Sequence, residues 1–143
     1  MNKFSLLLSA AVLAFCLNAC GNARKMNEKL ADKYWKLIEL KGAPVEAGQS
    51  AKEPHIILDM QNLRFSGNAG CNVITGAYQL TKRGKITFSS VVATRMMCLN
   101  MDIENQFLTI FESIEKYTLH GDILTFIDAK GAPLARFAAN LAP

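Results

Sequence analysis

The feature that most restricts the fold of this chain is a series of short apolar segments that begins at Tyr34 and continues almost to the carboxyl end. Apolar and polar side chains alternate within many of these segments, a period of two that is typical of strands with one buried face. Turn residues separate the segments, as in an antiparallel meander. The pattern predicts strands at 34–40, 55–60, 63–66, 73–81, 85–92, 117–119, 123–127 and 134–138.

One segment follows a helical period instead. Between Asp102 and Lys116, apolar side chains recur three and four residues apart, which places them on one face of a helix. Asn100 can cap this helix, and Asp102 and Glu104 put negative charge near its positive end. The sequence therefore predicts an α+β domain: a mostly antiparallel, curled β-sheet of about eight strands, with one α-helix between the fifth and sixth strands that ends at Lys116.

The amino terminus has the layout of an export signal. Lys3 precedes an apolar run at 4–15, which is shorter than the roughly 20 residues that a membrane-spanning helix needs. The sequence Leu17-Asn18-Ala19-Cys20 resembles the bacterial lipobox. That resemblance implies a signal peptide at 1–19, cleavage before Cys20, and lipid on Cys20 that anchors the protein to a membrane. Ordinary secretion with cleavage elsewhere is the alternative.

The resemblance to lipoproteins also bears on sorting. Asn22 is the second residue after Cys20. The residue that commonly retains lipoproteins in the inner membrane is an Asp beside the lipidated Cys, and neither Gly21 nor Asn22 is acidic. We therefore expect a lipid-anchored protein of the cell envelope, with the outer membrane favoured.

The charge of +4 lies mainly outside the predicted domain. Residues 20–33, which we interpret as a tether, hold four basic and two acidic side chains. The domain at 34–143 has eleven basic and ten acidic side chains and is nearly neutral. A nucleic-acid-binding domain concentrates cations on its own surface, so this class is rejected.

Three patches resemble the META domain, the type found in bacterial heat-shock lipoproteins. The first is Trp35-Lys36-Leu37, and the last is Thr94-Arg95-Met96-Met97-Cys98, followed by Glu104 and Phe107. Met97 stands where the family usually has a smaller residue. The resemblance implies a role in envelope stress and tolerance of some antibiotics, without assigned catalytic chemistry or an agreed ligand. The most distinctive patch lies between these two: Phe65-Ser66-Gly67-Asn68-Ala69-Gly70-Cys71-Asn72, followed by Gly76 and Tyr78.

Cys71 and Cys98 are the cysteines that remain once Cys16 is removed with the signal and Cys20 is lipidated. Exported proteins fold in an oxidising compartment, so these two residues can form a disulfide. The alternative is a pair of buried thiols that pack as small hydrophobic groups. Their wide spacing argues against a redox-active pair, which usually has two intervening residues.

The glycines around Asn72 have two interpretations. A glycine-rich turn can bind an anion where it leads directly into a helix, but this one leads into a strand. We therefore expect Gly67, Gly70 and Gly76 to allow left-handed backbone at a turn and a bulge. Asn72 is expected to bond to backbone groups there.

Met96, Met97 and Met101 lie beside Cys98 and could hold a soft ion such as Cu(I). Methionines before a helix are more often core residues, which is the interpretation that we prefer. His55 and His120 are far apart, and no spacing of His, Cys and carboxylates is that of a zinc site. No nucleophile elbow is present in the sequence. We expect no enzyme activity, no cofactor and no metal.

These observations lead to one functional hypothesis and one alternative. The hypothesis is an envelope lipoprotein that supports envelope integrity or stress tolerance by binding a partner, either an envelope protein or a small ligand, while lipid on Cys20 holds it to the membrane. The alternative is a lipoprotein that binds a small ligand or a soft metal. A curled sheet with an apolar pocket would favour the alternative, whereas an exposed apolar patch would favour the hypothesis.

Replacing Cys20 with Ser should prevent lipid attachment, because the thioether to the lipid needs the sulfur. We expect the variant to leave the membrane fraction or to remain as the uncleaved precursor. Cell fractionation with a high-salt wash, followed by mass measurement of the amino terminus, checks this. Recovery of the variant in washed membranes at the level of the unaltered protein would contradict lipid anchoring.

Overall fold

The computed structural model describes residues 29–81 and 84–140, so the predicted signal peptide and Cys20 lie outside the described residues. The described chain is a series of short strands interrupted by one helix, as the sequence pattern predicts. In chain order the elements are β1 (Tyr34–Leu40), β2 (Ala43–Pro44), β3 (His55–Asp59), β4 (Arg64–Asn68), β5 (Val73–Thr81), β6 (Lys85–Ala93), α1 (Asp102–Ile110), β7 (Lys116–His120), β8 (Ile123–Ile127) and β9 (Pro133–Asn140).

The nine strands form one antiparallel sheet that closes on itself. Neighbours follow chain order except that β2 folds back beside β1, and β1 also pairs with β9. Since consecutive strands run in opposite directions, their connections alternate between the two ends of the sheet. The N-terminal end carries the start of β1 and the connections after β3, β5 and β7. The loop end carries the connections after β1, β4, β6 and β8, including α1.

Aromatic side chains fill the interior where the helix meets the sheet. The Phe88 ring lies 5.1 Å from the rings of Phe65 and Phe111 and 5.3 Å from that of Phe126, measured between centroids. These distances are typical of favourable aromatic pairs. Phe107 of α1 adds a contact to Phe137 of β9, so the helix packs on both halves of the closed sheet.

The predicted α+β class and the helix between the fifth and sixth long strands are confirmed. The predicted helix end at Lys116 is wrong, since α1 stops at Ile110. Beyond it the chain turns, and the Glu115 N–H donates to the Ile127 carbonyl of β8, so pairing with the sheet replaces the helical bonds. Phe111 and Ile114, which extend the apolar period, are still buried.

Two further differences concern turns and ends. The Gly42-Ala43-Pro44 segment turns the chain back after the first strand, and Ala43 and Pro44 pair with β1 as an additional short strand that the sequence pattern did not predict. The third predicted strand, 63–66, instead runs from Arg64 to Asn68. Leu63 belongs to the preceding turn, with a positive φ of 52°.

A bulge changes which side chains of β1 face inward. The alternating pattern puts Trp35 and Leu37 on one face, and both are fully buried, but it puts Leu40 on the other. The β1–β9 register shifts between Leu37 and Glu39, so Leu40 also points into the core and is 2% exposed. An extra residue on one strand reverses the alternation beyond it.

The folded domain also begins before Tyr34, within the segment that the sequence analysis assigned to the tether. Leu30 is fully buried in the core, and its carbonyl accepts a hydrogen bond of 3.0 Å from the Trp35 indole. The Asp32 N–H donates to the Leu58 carbonyl of β3. These contacts close the N-terminal end of the sheet. Within residues 29–81 and 84–140, no helix has the length and apolar character needed to cross a bilayer.

Candidate functional site

A buried carboxylate at the loop end joins the helix to the sheet. Glu104, in the first turn of α1, is 3% exposed. Its Oε2 accepts hydrogen bonds from the N–H groups of Cys71 (2.9 Å) and Asn72 (2.7 Å), and its Oε1 accepts one from Asn72 Nδ2 (2.6 Å). Bonds from backbone amides to an ionised carboxylate are among the stronger hydrogen bonds in proteins, and they offset the cost of burying the charge.

Asn72 connects this carboxylate to the chain that follows β6. Its Oδ1 accepts from the Thr94 hydroxyl (2.8 Å) and from the Met96 N–H (2.7 Å), while Nδ2 also donates to the Met96 carbonyl (3.0 Å). The amide thus uses both donors and both lone pairs. Asn72 was expected to bond to backbone groups of its own turn, but the backbone that its side chain bonds is that of Met96, in a different segment. We call Glu104, Asn72, Thr94 and the Met96 backbone the polar cluster.

A disulfide lies beside the polar cluster. Cys71 and Cys98 are bonded, with their Cα atoms 6.2 Å apart, and they are separated by 27 positions. Of the two states that the sequence left open, the structure therefore has the disulfide. In the chain-entropy model, closing a loop of this length stabilises a fold by roughly 3–4 kcal/mol. Together the bond and the polar cluster fix the segment 94–101, which we call the methionine loop.

The three motif glycines serve close packing as well as turns. Gly70 has φ +128° and fits the left-handed expectation, which is wrong for Gly67 and Gly76 because neither has a positive φ. Gly67 lies within β4, where an added Cβ would approach the His55 carbonyl oxygen to 2.0 Å, and at Gly76 it would approach the Phe65 ring to 2.5 Å. Gly67 therefore allows β3 to approach closely. Gly76 leaves room for the Phe65 ring of the aromatic core, and it lies beside a bulge in the β5–β6 pairing.

Trp35 and Tyr78, the other two motif residues, are anchors at the opposite end. The Tyr78 hydroxyl donates to the Asp59 carbonyl at 3.1 Å and also lies 3.1 Å from the Met60 sulfur. Burial, together with the charges of Asp59 and Asp32, raises the pKa of Tyr78 to about 12, so its hydroxyl remains a donor at neutral pH. Trp35 thus holds the chain at Leu30, before β1, and Tyr78 holds the end of β3.

The methionine loop turns its apolar side chains to solvent. Met96 is 51% exposed, Met97 97% and Leu99 fully exposed, whereas Met101 is half-buried. The expectation that these methionines are core residues is therefore wrong for Met96 and Met97. The physical reason is that the loop is held by the Met96 backbone and the Cys98 sulfur, which leaves the neighbouring side chains pointing outward.

The structure also bears on the soft-metal alternative. The Cys98 sulfur is bonded to Cys71, so it is not a thiolate ligand beside Met96, Met97 and Met101. Among the described residues, no group of three or more His, Cys, Asp or Glu side chains is placed to hold a metal ion. His55 begins β3 and His120 ends β7, two strands that are not neighbours in the sheet.

A second group of polar side chains was missed in the sequence. Glu53 accepts hydrogen bonds from the Tyr34 hydroxyl (3.0 Å) and Lys36 (2.6 Å), and the rings of Tyr34 and His55 stack 4.2 Å apart. The bond from Lys36 lowers the pKa of Glu53, and burial followed by the bond to Glu53 raises the pKa of Tyr34 to about 12. The only sequence signal was alternation in β1, which places Tyr34 and Lys36 on one face.

This second group borders a cavity of ≈ 330 Å³ beneath the connection after β2. Lys36, Glu46, Lys52 and Glu53 give its walls charges of both signs, and Leu37 and Val45 add apolar surface. At neutral pH the Tyr34 hydroxyl stays protonated and Glu53 stays ionised, so the pair lacks the intermediate pKa values expected of an acid–base pair.

Comparison with protein families and solved structures now assigns the domain. The META domain model matches residues 28–141, which is most of the chain and includes Leu30. The chain belongs to the META domain family. Comparison with curated protein sequences gives no match.

The META domain also resembles several solved structures. An NMR structure of a protein from Burkholderia xenovorans is 20% identical, with a TM-score of 0.65 over 80% of this chain and 86% of that one. A second NMR structure is 25% identical, with a TM-score of 0.60 over 78% and 92%. A duf4847 family protein from Bacteroides vulgatus ATCC 8482 is 14% identical, with a TM-score of 0.58 over 82% and 99%. These likenesses concern the fold.

Replacing Glu104 with Ala should lower the free energy of unfolding by about 3 kcal/mol or more, because three buried donors on Cys71 and Asn72 lose their acceptor. Urea denaturation followed by circular dichroism measures the loss. The matched control is Glu112→Ala, an exposed carboxylate just beyond the same helix, which should change stability by no more than about 0.5 kcal/mol. Equal stability of the two variants would contradict the structural role of Glu104.

Proposed function

We propose that this protein is a lipid-anchored lipoprotein of the cell envelope whose META domain binds another envelope protein and has no enzyme activity. The observation that carries the proposal is the methionine loop. It presents Met96, Met97 and Leu99 to solvent on a backbone held by a disulfide and the polar cluster. Adjacent exposed apolar side chains on a fixed loop are a feature of protein-binding surfaces.

The rigidity of the loop supports binding to a protein. A surface that is already ordered loses little conformational freedom when it binds, so more of the contact energy appears as affinity. Methionine adds a flexible, polarisable side chain that adapts to the shape of a partner. The Cys71–Cys98 bond and the Met96 backbone contacts provide the order, and the exposed side chains provide the contact area.

The position of the loop also supports this proposal. The methionine loop lies at the loop end, whereas β1 and Leu30 begin at the N-terminal end. With lipid on Cys20, the attachment to the membrane would be next to the N-terminal end. Residues 20–28 would span at most about 30 Å when extended. This arrangement directs the methionine loop away from the anchoring bilayer, toward proteins of the periplasm or the cell wall.

A binding role without catalysis agrees with the chemistry of the motif residues in this chain. The side-chain donors and acceptors of Asn72 are all used within the domain, and Glu104 is committed to the amides of Cys71 and Asn72. Groups so occupied stabilise a fold. In the described part of the chain, every buried side-chain nitrogen and oxygen has a hydrogen-bond partner.

A second candidate function is binding of a small polar ligand in the cavity beside Lys36 and Glu53. Its volume of ≈ 330 Å³ is within the range of small-molecule sites, and charges of both signs suit a zwitterion. The ligand would contact the connection after β2 and leave the methionine loop free. The two candidates therefore differ in which surface a bound molecule protects.

A photo-reactive amino acid in place of Met97 tests the first candidate in intact cells. We expect crosslinked adducts of defined mass, because the partner would cover this side chain, and we expect Leu99→Asp to remove them by placing a charge in the contact. The matched control carries the same photo-reactive residue at Gln61, which is exposed in the turn after β3 at the N-terminal end. The same adducts from both positions, or none from Met97, would contradict the proposal.

A further inference from the structure

The closed sheet has one weak seam, between β6 and β7. Among the described residues, these strands pair at Lys85 and Lys116 alone, near where each of them begins. From Thr87 to Ala93, the pairings among the described residues join β6 to β5 alone. Half of the backbone N–H and C=O groups in this stretch therefore face away from any neighbouring strand. Such an edge is a template for pairing with another chain.

Hydrogen bonds show which residues of β6 face the seam. The Ile86 N–H donates to the Glu115 carbonyl, on the side of β7. Along an antiparallel strand the backbone N–H and C=O groups of successive residues point to alternate sides. Those of Phe88 therefore point to the same side as those of Ile86. The partner of Phe88 across the sheet, Tyr78, donates its N–H to Leu63 on the opposite side. The Phe88 N–H and C=O consequently point into the seam.

The alternation resumes beyond a bulge at Ser90, which has a φ of 51°. The Thr94 N–H donates to the Val73 carbonyl, so the backbone groups of Thr94 point toward β5 and away from the seam. By the same alternation, the backbone N–H and C=O groups of Ala93 and Val91 point into the seam. Phe88, Val91 and Ala93 together offer an edge that leads directly into the methionine loop.

A cavity of ≈ 320 Å³ accompanies this edge, between β6 and the end of α1. Phe88, Val91, Leu108 and Phe111 line it with apolar groups, and its volume accepts one large aliphatic or aromatic side chain. Glu112 lies at the same cavity, is exposed, and has no ion pair among the described residues. The cavity thus combines apolar side chains with polar groups, among them the Ser90 residue and the negative charge of Glu112.

We propose that β6 binds an extended peptide segment of the partner protein by adding it to the sheet as a further strand. The peptide main chain pairs with Phe88, Val91 and Ala93, an apolar side chain enters the cavity, and a basic side chain contacts Glu112. Main-chain pairing supplies affinity and the cavity supplies selectivity, as in other cases of strand addition. This inference rests on the proposed binding of an envelope protein and specifies the segment that is bound.

The probe is a fluorescent peptide, acetyl-Arg-Thr-Leu-Thr-Val-Thr-amide, with the full-length protein purified from membranes in mild detergent. Fluorescence anisotropy measures binding, and hydrogen exchange with mass spectrometry measures protection of residues 87–93. We expect saturable binding and slower exchange in this stretch. A peptide with the same side chains but alternate N-methyl amides should neither bind nor protect, because it cannot pair through its main chain.

Ala93→Pro removes one N–H from the edge without removing a bond to β5, and proline is tolerated at an edge. Loss of that donor should weaken the peptide about tenfold. Ala93→Ser is the matched control, since it keeps the N–H, and it should bind as the unaltered protein does. Equal melting temperatures of the two variants establish that both fold. Glu112→Gln should remove the preference for the Arg peptide over one with Glu at that position.

Any of four outcomes overturns the inference. The first is no binding and no protection with peptide at millimolar concentration. The second is equal binding of the N-methylated peptide or by Ala93→Pro. The third is protection of 87–93 that rises with protein concentration alone, which would identify a second copy as the occupant. Adducts from Met97 that persist in Ala93→Pro would also reject strand addition, while they would leave the proposed partner binding in place.

Discussion

The Glu104 carboxylate is the interaction on which the arrangement of the loop end depends. It is buried at the start of α1 and accepts the amides of Cys71 and Asn72, so helix and sheet are joined through one charged group. The Asn72 side chain in turn accepts hydrogen bonds from Thr94 and Met96, and the disulfide adds a covalent link from Cys71 to Cys98. Three separate stretches of sequence are held at one point, which explains why the motif residues are spread along the chain.

This constraint gives the domain two different ends. Trp35 and Tyr78 close the N-terminal end with hydrogen bonds to the chain around Leu30 and Asp59, where the predicted lipid tether arrives. The loop end keeps its polar groups internal and leaves apolar side chains outside. The proposed binding surface follows from that division, because fixing the backbone of the methionine loop exposes Met97 and Leu99. The open seam along β6 ends at the same loop.

Much of the fold could be predicted from the sequence, because alternation and turn residues are local signals. The α+β class and the helix between the fifth and sixth long strands follow from such signals. The disulfide does not, since the sequence left it open against a pair of buried thiols. The burial of Leu40 could not, since it depends on a bulge against β9, and the burial of Leu30 depends on a contact with Trp35. The exposure of Met97 was also missed, because composition favours a core methionine, whereas long-range bonds to Asn72 decide where the loop points.

The hydrogen exchange rates of the Cys71 and Asn72 amides test the role of Glu104 most directly. Both lie in a connection between strands, where amides ordinarily exchange fast. The structure predicts that these two amides are protected like those of the central strands, and that they lose protection in Glu104→Ala while β5 keeps its own. Fast exchange at both amides in the unaltered protein, at the rate of the turn after β8, would contradict the account.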